Sequence, residues 1–377
     1  MKKSTKLFLS FGITLGTIVG LGVTSVIVVD PYFHYHAPLT GLFRYSLGNE
    51  RYVNDGIIRH FDYDAVITGT SMTENFKTSE LDNLFGTKSI KVPSSGGTFK
   101  EINDMIKKSL NKDTKMVVRG LDLAKFYDDP ELMRYDLGNY PSYLYDDNPF
   151  NDVNYIFDSK VFFESIPSAL KGLVGEKGMV SSFDNYARWH DSYKYGIVAS
   201  AGGDITNPIK AKEKEMPLDL RNNLIVNIAK NVTDTPKNNP NTTFYYFLTP
   251  YSALWWKRLF EKGEFNMRIE AEKYVVEEML KVPNIKVFAF NDCFDITTNL
   301  NFYKDATHYG EWVNSFVLKC MKNDRHMLTS SNYLQYFSNL FSFYSSYDFT
   351  KMNDFEDYED DEYASIFLRQ LEQEGRV

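Results

Sequence analysis

Only two cysteines, Cys293 and Cys320, occur among the 377 residues, and neither belongs to a C-x-x-C pair or a Cys/His cluster. Two thiols so far apart leave open whether they pair or stay free and buried, and they give no sign of a metal. No metal and no cofactor is expected. An excess of basic residues is missing too: 42 Lys and Arg face 50 Asp and Glu, for a formal charge of −8. A nucleic-acid binder needs a basic face, so that class of partner is not expected. From Asp348 to the end there are ten acidic and three basic residues, a net of −7, which leaves about −1 for the remainder. The run Asp354 to Glu362 reads as a solvated segment. The stretch Asp146 to Asp152 looks acidic enough for calcium but lacks the central Gly and terminal Glu of an EF-hand loop, so it reads as a turn with a helix cap.

What the chain has in quantity is apolar and aromatic surface: 43% hydrophobic residues, with 26 Tyr and 29 Phe. That is enough for a substantial core and suits aromatic stacking surfaces as well. The first apolar run, Leu7 to Val29, holds 23 residues without a charge. At about 1.5 Å per residue it spans a hydrocarbon core of about 30 Å. Neither a small-x-small cleavage site nor a lipoprotein cysteine follows it, so it reads as an uncleaved anchor. Lys2, Lys3 and Lys6 precede the span, and only Arg44 carries positive charge between it and Glu50. This asymmetry places residues 1–6 in the cytoplasm and everything from Asp30 onward outside. Gly12, Gly16 and Gly20 repeat at a spacing that permits helix association. Pro31 to Pro38 (PYFHYHAP) reads as a rigid aromatic exit segment. His34 and His36, with no third ligand, make an interfacial collar the better reading than a metal site.

A regular alternation follows the exit segment, residues 30–63. Ala65 to Thr68, Ser89 to Val92 and Met116 to Leu121 read as strands, and Glu74 to Leu84 and Glu101 to Leu110 as the helical stretches between them. Strands alternating with helices imply βαβ units, hence a doubly wound, flavodoxin-like parallel sheet spanning about 64–325. The rhythm breaks after Asp122. About 120 residues rich in Tyr, Asp and Asn, including Trp189, Tyr193 and Tyr195, precede the next strand at Thr243 to Leu248. The insert, about 128–240, reads either as a lid or substrate region or as a packing extension. Ile285 to Phe290 reads as the last strand and Trp312 to Met321 as an apolar helix. Residues 326–377 form an aromatic and then acidic terminal region.

Chemistry concentrates at two places. In VITGTSMTENF, Val66 to Phe76, a short strand meets Gly69, Thr70 and Ser71, a turn that presents a hydroxyl at the carboxyl end of a sheet. Ser71-Met72-Thr73-Glu74 is also an S-x-x-E capping box, a purely structural reading. After the last strand come Asp305 and His308, spaced so that a carboxylate reaches an imidazole and fixes its tautomer. A neutral, oriented His activates a serine hydroxyl. In a doubly wound sheet both loops open at one edge.

A Ser after the first strand and D-x-x-H after the last resemble the SGNH (GDSL-like) hydrolase superfamily, over about Ala65 to Met321 without the insert. The resemblance implies Ser71 as nucleophile, His308 as base and then acid, and Asp305 as orienter. It also implies an oxyanion hole built from Gly96 or Gly97 in Ser94-Ser95-Gly96-Gly97, together with the Ser71 N–H. Two positions depart from the pattern. Thr70 stands where the family has Asp, and Asp122 stands where it has a donating Asn. An ionised carboxylate only accepts. Either another residue donates, or Asp122 stays protonated, or the site holds acyl groups without fast hydrolysis.

With the single span, the chain is similar to anchored bacterial envelope proteins such as the D-alanyl-lipoteichoic acid transfer and alginate acetylation proteins. That likeness implies a serine esterase or O-acyltransferase acting outside the membrane on an acylated envelope glycan or glycopolymer, in some systems beside a membrane-bound O-acyltransferase. A non-catalytic glycan-binding or assembly component of the same fold is the alternative.

Overall fold

In a computed structural model that describes residues 3–137, 140–355 and 361–375, the chain separates into two compact units. The first joins the residues up to Asp62 with Tyr135–Tyr186, and the second joins Tyr63–Arg134 with Ala187 onward. Residues 135–186 of the insert, placed by the sequence at about 128–240, thus belong to the first unit and the rest of it to the second. Residues 1 and 2 of the short tail and 356–360 of the acidic run lie outside the described residues.

The first unit begins with one continuous helix, Lys3–Val29. Its segment Ser4–Val29, 26 residues, is long and apolar enough to cross a membrane. Gly12, Gly16 and Gly20 lie open on its surface. The helix stops at Asp30, whose positive φ of 43° turns the chain. The Asp30 carboxylate, fully buried, accepts the backbone N–H groups of His34, Tyr35 and His36 and the Tyr155 hydroxyl at 2.7–3.0 Å. Four donors offset the cost of burying this carboxyl. Burial still pushes its pKa above the ordinary value. The two exit histidines diverge: His34 Nε2 pairs with Asp152, and His36 Nε2 with the Ile27 carbonyl. The exit segment is thus a packed turn ordered by one carboxylate.

The second unit is built on a six-stranded sheet: β1 Ala65–Thr68, β2 Ser89–Lys91, β3 Met116–Leu121, β4 Thr243–Leu248, β5 Ile285–Ala289 and β6 Met327–Leu328. Their spatial order is β2-β1-β3-β4-β5-β6. All neighbours are parallel except β5 and β6, which are antiparallel. The chain is thus a mixed α/β protein with a mostly parallel sheet. Sequence reading places β1, β3 and β4 at their observed ends, because strands buried on both faces read as unbroken apolar runs. The two-residue β6 carries no such run and was not expected.

Helices between the strands are set by ordinary signals. Phe99–Ser109 starts at a capping box, in which Thr98 Oγ1 accepts the Glu101 N–H and the Glu101 carboxylate accepts the Thr98 N–H. It puts Phe99, Ile102, Met105 and Ile106 into the core. Phe265–Leu280 and Glu311–Lys322 bury their apolar faces similarly.

Charged groups inside this unit shape its stability. Arg119 on β3 is fully buried; its guanidinium donates to the carbonyls of Asn231 and Phe99 and lies 5.1 Å above the Phe99 ring. Glu272 is also fully buried, yet neither carboxyl oxygen has a hydrogen-bond partner. Burial, against the opposing charge of Arg268, pushes its pKa from 4.5 up to about 8. The fold therefore tolerates the protonated form. Its contribution is fully present below pH 4.5 and is lost as the pH rises towards 8, at about 1.4 kcal/mol per pH unit. Glu272→Gln should raise the thermal midpoint at pH 8 and leave it nearly unchanged at pH 4.5. Unfolding curves of both proteins across that range test this, and a pH-independent difference would contradict it.

Candidate active site

The carboxyl ends of the parallel strands carry every residue singled out for chemistry. Ser71 follows β1, Gly96 and Gly97 follow β2, Asp122 follows β3, and Asp305 and His308 follow β5. Parallel strands open these loops at one edge.

The turn after β1 is held by a close approach. Gly69 has φ of 149°, and a Cβ there would lie 2.6 Å from the Thr73 methyl group. A Cβ on Gly120 of β3 would lie 2.9 Å from the same methyl. Thr73 thus fills a slot that exists only because both positions are glycine. The capping reading of Ser71 is replaced by a different one. Ser71–Thr73 is a single 3₁₀ turn whose cap is Thr70, with Thr70 Oγ1 accepting the Met72 N–H. Ser71 begins the turn with its own hydroxyl free to point elsewhere.

That hydroxyl meets His308, with Ser71 Oγ 2.8 Å from His308 Nε2. On the far side, His308 Nδ1 lies 2.8 and 3.0 Å from the two Asp305 oxygens. With the carboxylate accepting from Nδ1–H, Nε2 is left to accept from the serine. The D-x-x-H loop is a tight hairpin closed by the Tyr303–Tyr309 bridge and the Lys304 N–H to His308 carbonyl bond. Within it, Asp305 Oδ1 also accepts the backbone N–H groups of Thr307 and His308. Burial disfavours the Asp305 carboxylate, but hydrogen bonding and the charge of His308 outweigh it and hold its pKa well below the usual range. Asp305 is therefore anionic at neutral pH and cannot take the proton from His308.

Trp189 adds a wall that the motifs did not announce. Its indole Nε1–H donates to the Ser71 carbonyl at 3.0 Å, and its ring meets His308 edge to face at 5.8 Å. Asn75 holds this segment by accepting the N–H groups of Trp189 and His190. Lys304 Nζ lies 4.1 Å from the centre of the Trp189 ring and 3.5 Å from that of the half-exposed Tyr193. Lys304 sits beside Asp305 in sequence, but nothing in the sequence pairs it with rings more than a hundred residues away.

Of the oxyanion candidates, Gly97 commits its N–H to the Ser94 carbonyl at 2.8 Å. Its place beside the Ser94 backbone explains the glycine sterically. The N–H groups of Gly96 and Ser71 donate to no protein group among the described residues. Asp122 is buried, and its Oδ2 accepts the Thr70 hydroxyl at 2.7 Å. Its Oδ1 is buried without a partner. Burial pushes the Asp122 pKa up, against the lowering effects of the Thr70 bond and of His308. A cavity of about 600 Å³ lined by Lys77, His190, Glu311 and Arg369 leaves the triad outside. The triad itself is half-exposed, with His308 and Asp305 side chains 28% and 45% accessible.

No metal cluster involves these residues. The one Cys/His/carboxylate group among the described residues is Asp292, Cys293 and His326, and both cysteines are free and buried.

Gly69→Ala should destabilise the unit by about 1–3 kcal/mol and disorder the serine, because the new methyl and Thr73 cannot share the slot. Denaturant unfolding measures the first effect and the rate of serine-directed labelling the second; an unchanged rate would show that the slot does not position Ser71. Compared with protein-family models, curated proteins and solved structures, the chain gives no match.

Proposed function

We propose that the chain is a membrane-anchored serine esterase or O-acyltransferase of the SGNH type, working outside the membrane on acyl esters of an envelope glycan or glycopolymer. The observation that carries this reading is the continuous hydrogen-bonded series Ser71, His308, Asp305 at the carboxyl edge of a parallel sheet. The strand order, with the second strand outside the first and the rest following in sequence, supports the doubly wound, flavodoxin-like form. The apolar helix supports the anchor.

In this mechanism Ser71 Oγ attacks the ester carbonyl while its proton passes to His308 Nε2. Asp305 stabilises the imidazolium and stays ionised. His308 then returns the proton to the departing alcohol, leaving an acyl-serine. Water completes a hydrolysis, and a glycan hydroxyl completes a transfer. The half-exposed serine suits a polymer lying across the surface. The exposed Tyr193 ring, beside Trp189 and Lys304, offers a stacking surface for a sugar ring, and a membrane-bound O-acyltransferase is a natural source of acyl groups.

The oxyanion needs donors, and backbone N–H groups of Ser71 and Gly96 are the uncommitted ones. Asp122 joins them in this reading as a neutral acid. Thr70 occupies Oδ2, burial favours the protonated form, and a proton on Oδ1 makes it a donor. Asp122→Asn, which donates without titrating, should keep acylation and remove the decline of rate as pH rises through the Asp122 pKa. Asp122→Ala should slow acylation about 10²–10³-fold, the scale of losing one oxyanion donor. An Asp122→Ala protein as fast as wild type would exclude this role.

A membrane-impermeant fluorophosphonate applied to intact cells tests activity and placement together. The wild-type chain should be labelled and Ser71→Ala should not. Labelling only after lysis would keep the enzyme and reverse the topology. No Ser71-dependent adduct in either sample would leave the non-catalytic glycan-binding reading.

A further inference from the structure

A second cluster of reactive side chains lies where the sheet ends, and it shares no residue with the triad. Leaving β5, the chain runs through Phe290 and Asn291 to Asp292 and Cys293; returning from the helix Glu311–Lys322, it reaches His326 just before β6. The antiparallel pairing of β5 with β6 brings these segments together, and the Ala289 N–H donates to the His326 carbonyl at 3.1 Å. His326 adopts a positive φ of 57°, a conformation unusual for a residue with a side chain.

One ligand atom from each of Asp292, Cys293 and His326 lies within 4.8 Å of the others. Cys293 Sγ is 3.6 Å from His326 Nδ1 and 3.8 Å from Nε2. With metal–sulfur and metal–nitrogen bonds of about 2.3 and 2.0–2.1 Å, the edge between sulfur and nitrogen in a tetrahedral site is about 3.5 Å. The observed spacing already matches that edge. Asp292 Oδ1 is buried and has no hydrogen-bond partner among the described residues. The Phe290 and Phe316 rings pack around the imidazole, 5.4 and 6.0 Å away between ring centres.

We propose that Asp292, Cys293 and His326 form a three-ligand site for a zinc-class divalent cation, leaving a fourth position for solvent. The donor set, one sulfur, one imidazole nitrogen and one carboxylate oxygen, is borderline-soft and suits zinc or cobalt(II) over magnesium or calcium. Binding forms the metal–sulfur bond as the Cys293 thiol releases its proton to solvent. A thiolate and a carboxylate then neutralise the two positive charges, which matters for an ion among aromatic side chains. The site would tie the edge strand β6 to the end of β5 and leave one position open to a water or another small ligand.

Cobalt(II) alone, titrated into the full-length chain in detergent after chelation, is the probe. Wild type and Cys320→Ala should each bind one equivalent with a thiolate-to-cobalt charge-transfer band. Cys293→Ala should lose the band, and Asp292→Asn and His326→Asn should weaken binding at least 10-fold. Asn is chosen at 326 because it tolerates positive φ. Zinc should raise the thermal midpoint of wild type and not of Cys293→Ala. The wild-type titration requires no variant to fold: absence of a saturable, one-equivalent charge-transfer signal overturns the site. Binding undiminished in both Cys293→Ala and His326→Asn overturns the ligand assignment.

Discussion

The arrangement at the sheet edge depends on one steric fit, the Thr73 methyl group seated between the Cα atoms of Gly69 and Gly120. The β1 and β3 backbones are locked in parallel register from Ala65 opposite Met116 to Thr68 opposite Arg119. Just past that register the chain must turn sharply enough to present Ser71 and still stay packed on β3. Two glycines and a β-branched residue solve this problem with backbone and one methyl. The serine owes its position to packing beneath it. Hydrogen bonds from above, from Trp189 to the Ser71 carbonyl and from Asn314 and Tyr309 to the Met72 carbonyl, then fix the turn's carbonyls.

The unit buries several ionisable side chains, and three of them, Arg119, Glu272 and Asp122, differ physically. Arg119 keeps its charge because two carbonyls and two aromatic faces surround it. Glu272 has no such partners among the described residues, and burial favours its protonated form. Asp122 lies between these extremes: one oxygen is satisfied by Thr70 and the other is not. A carboxyl with one oxygen bonded to Thr70 and the other buried without a partner among the described residues favours the neutral form.

The strands and the Asp305–His308 pair were legible because each rests on local signals. Val117 and Val118, or Phe247 and Leu248, lie in strands buried on both faces, and Asp305 and His308 are joined by a three-residue turn. Much else depends on contacts distant in sequence. Thr70, and not Ser71, caps the turn, and the Ser71 hydroxyl pairs instead with His308, 237 residues along the chain. The insert left two readings open because Tyr, Asp and Asn serve turns, surfaces and packing equally. Its division at Tyr186 has no mark in composition. Gly96 and Gly97 looked equivalent until the Ser94 carbonyl claimed one N–H. The cluster of Asp292, Cys293 and His326 was invisible for the same reason: the short strand that brings His326 back carries no hydrophobic pattern.

Electrostatics connects the triad to Asp122. Asp305 stays anionic because its hydrogen bonds and the neighbouring imidazole outweigh its burial, whereas burial dominates at Asp122. Two carboxyl groups at one sheet edge are thereby driven apart in acidity, the pattern by which one site assigns different roles to like groups. In the mechanism proposed above, the more acidic one orients the base and the less acidic one carries a proton towards developing negative charge. The charge of His308 lowers the Asp122 pKa as well as that of Asp305. Under that proposal the imidazolium formed when serine loses its proton loosens the Asp122 proton as charge builds on the substrate oxygen, and a hydrogen bond that strengthens at that moment lowers the barrier.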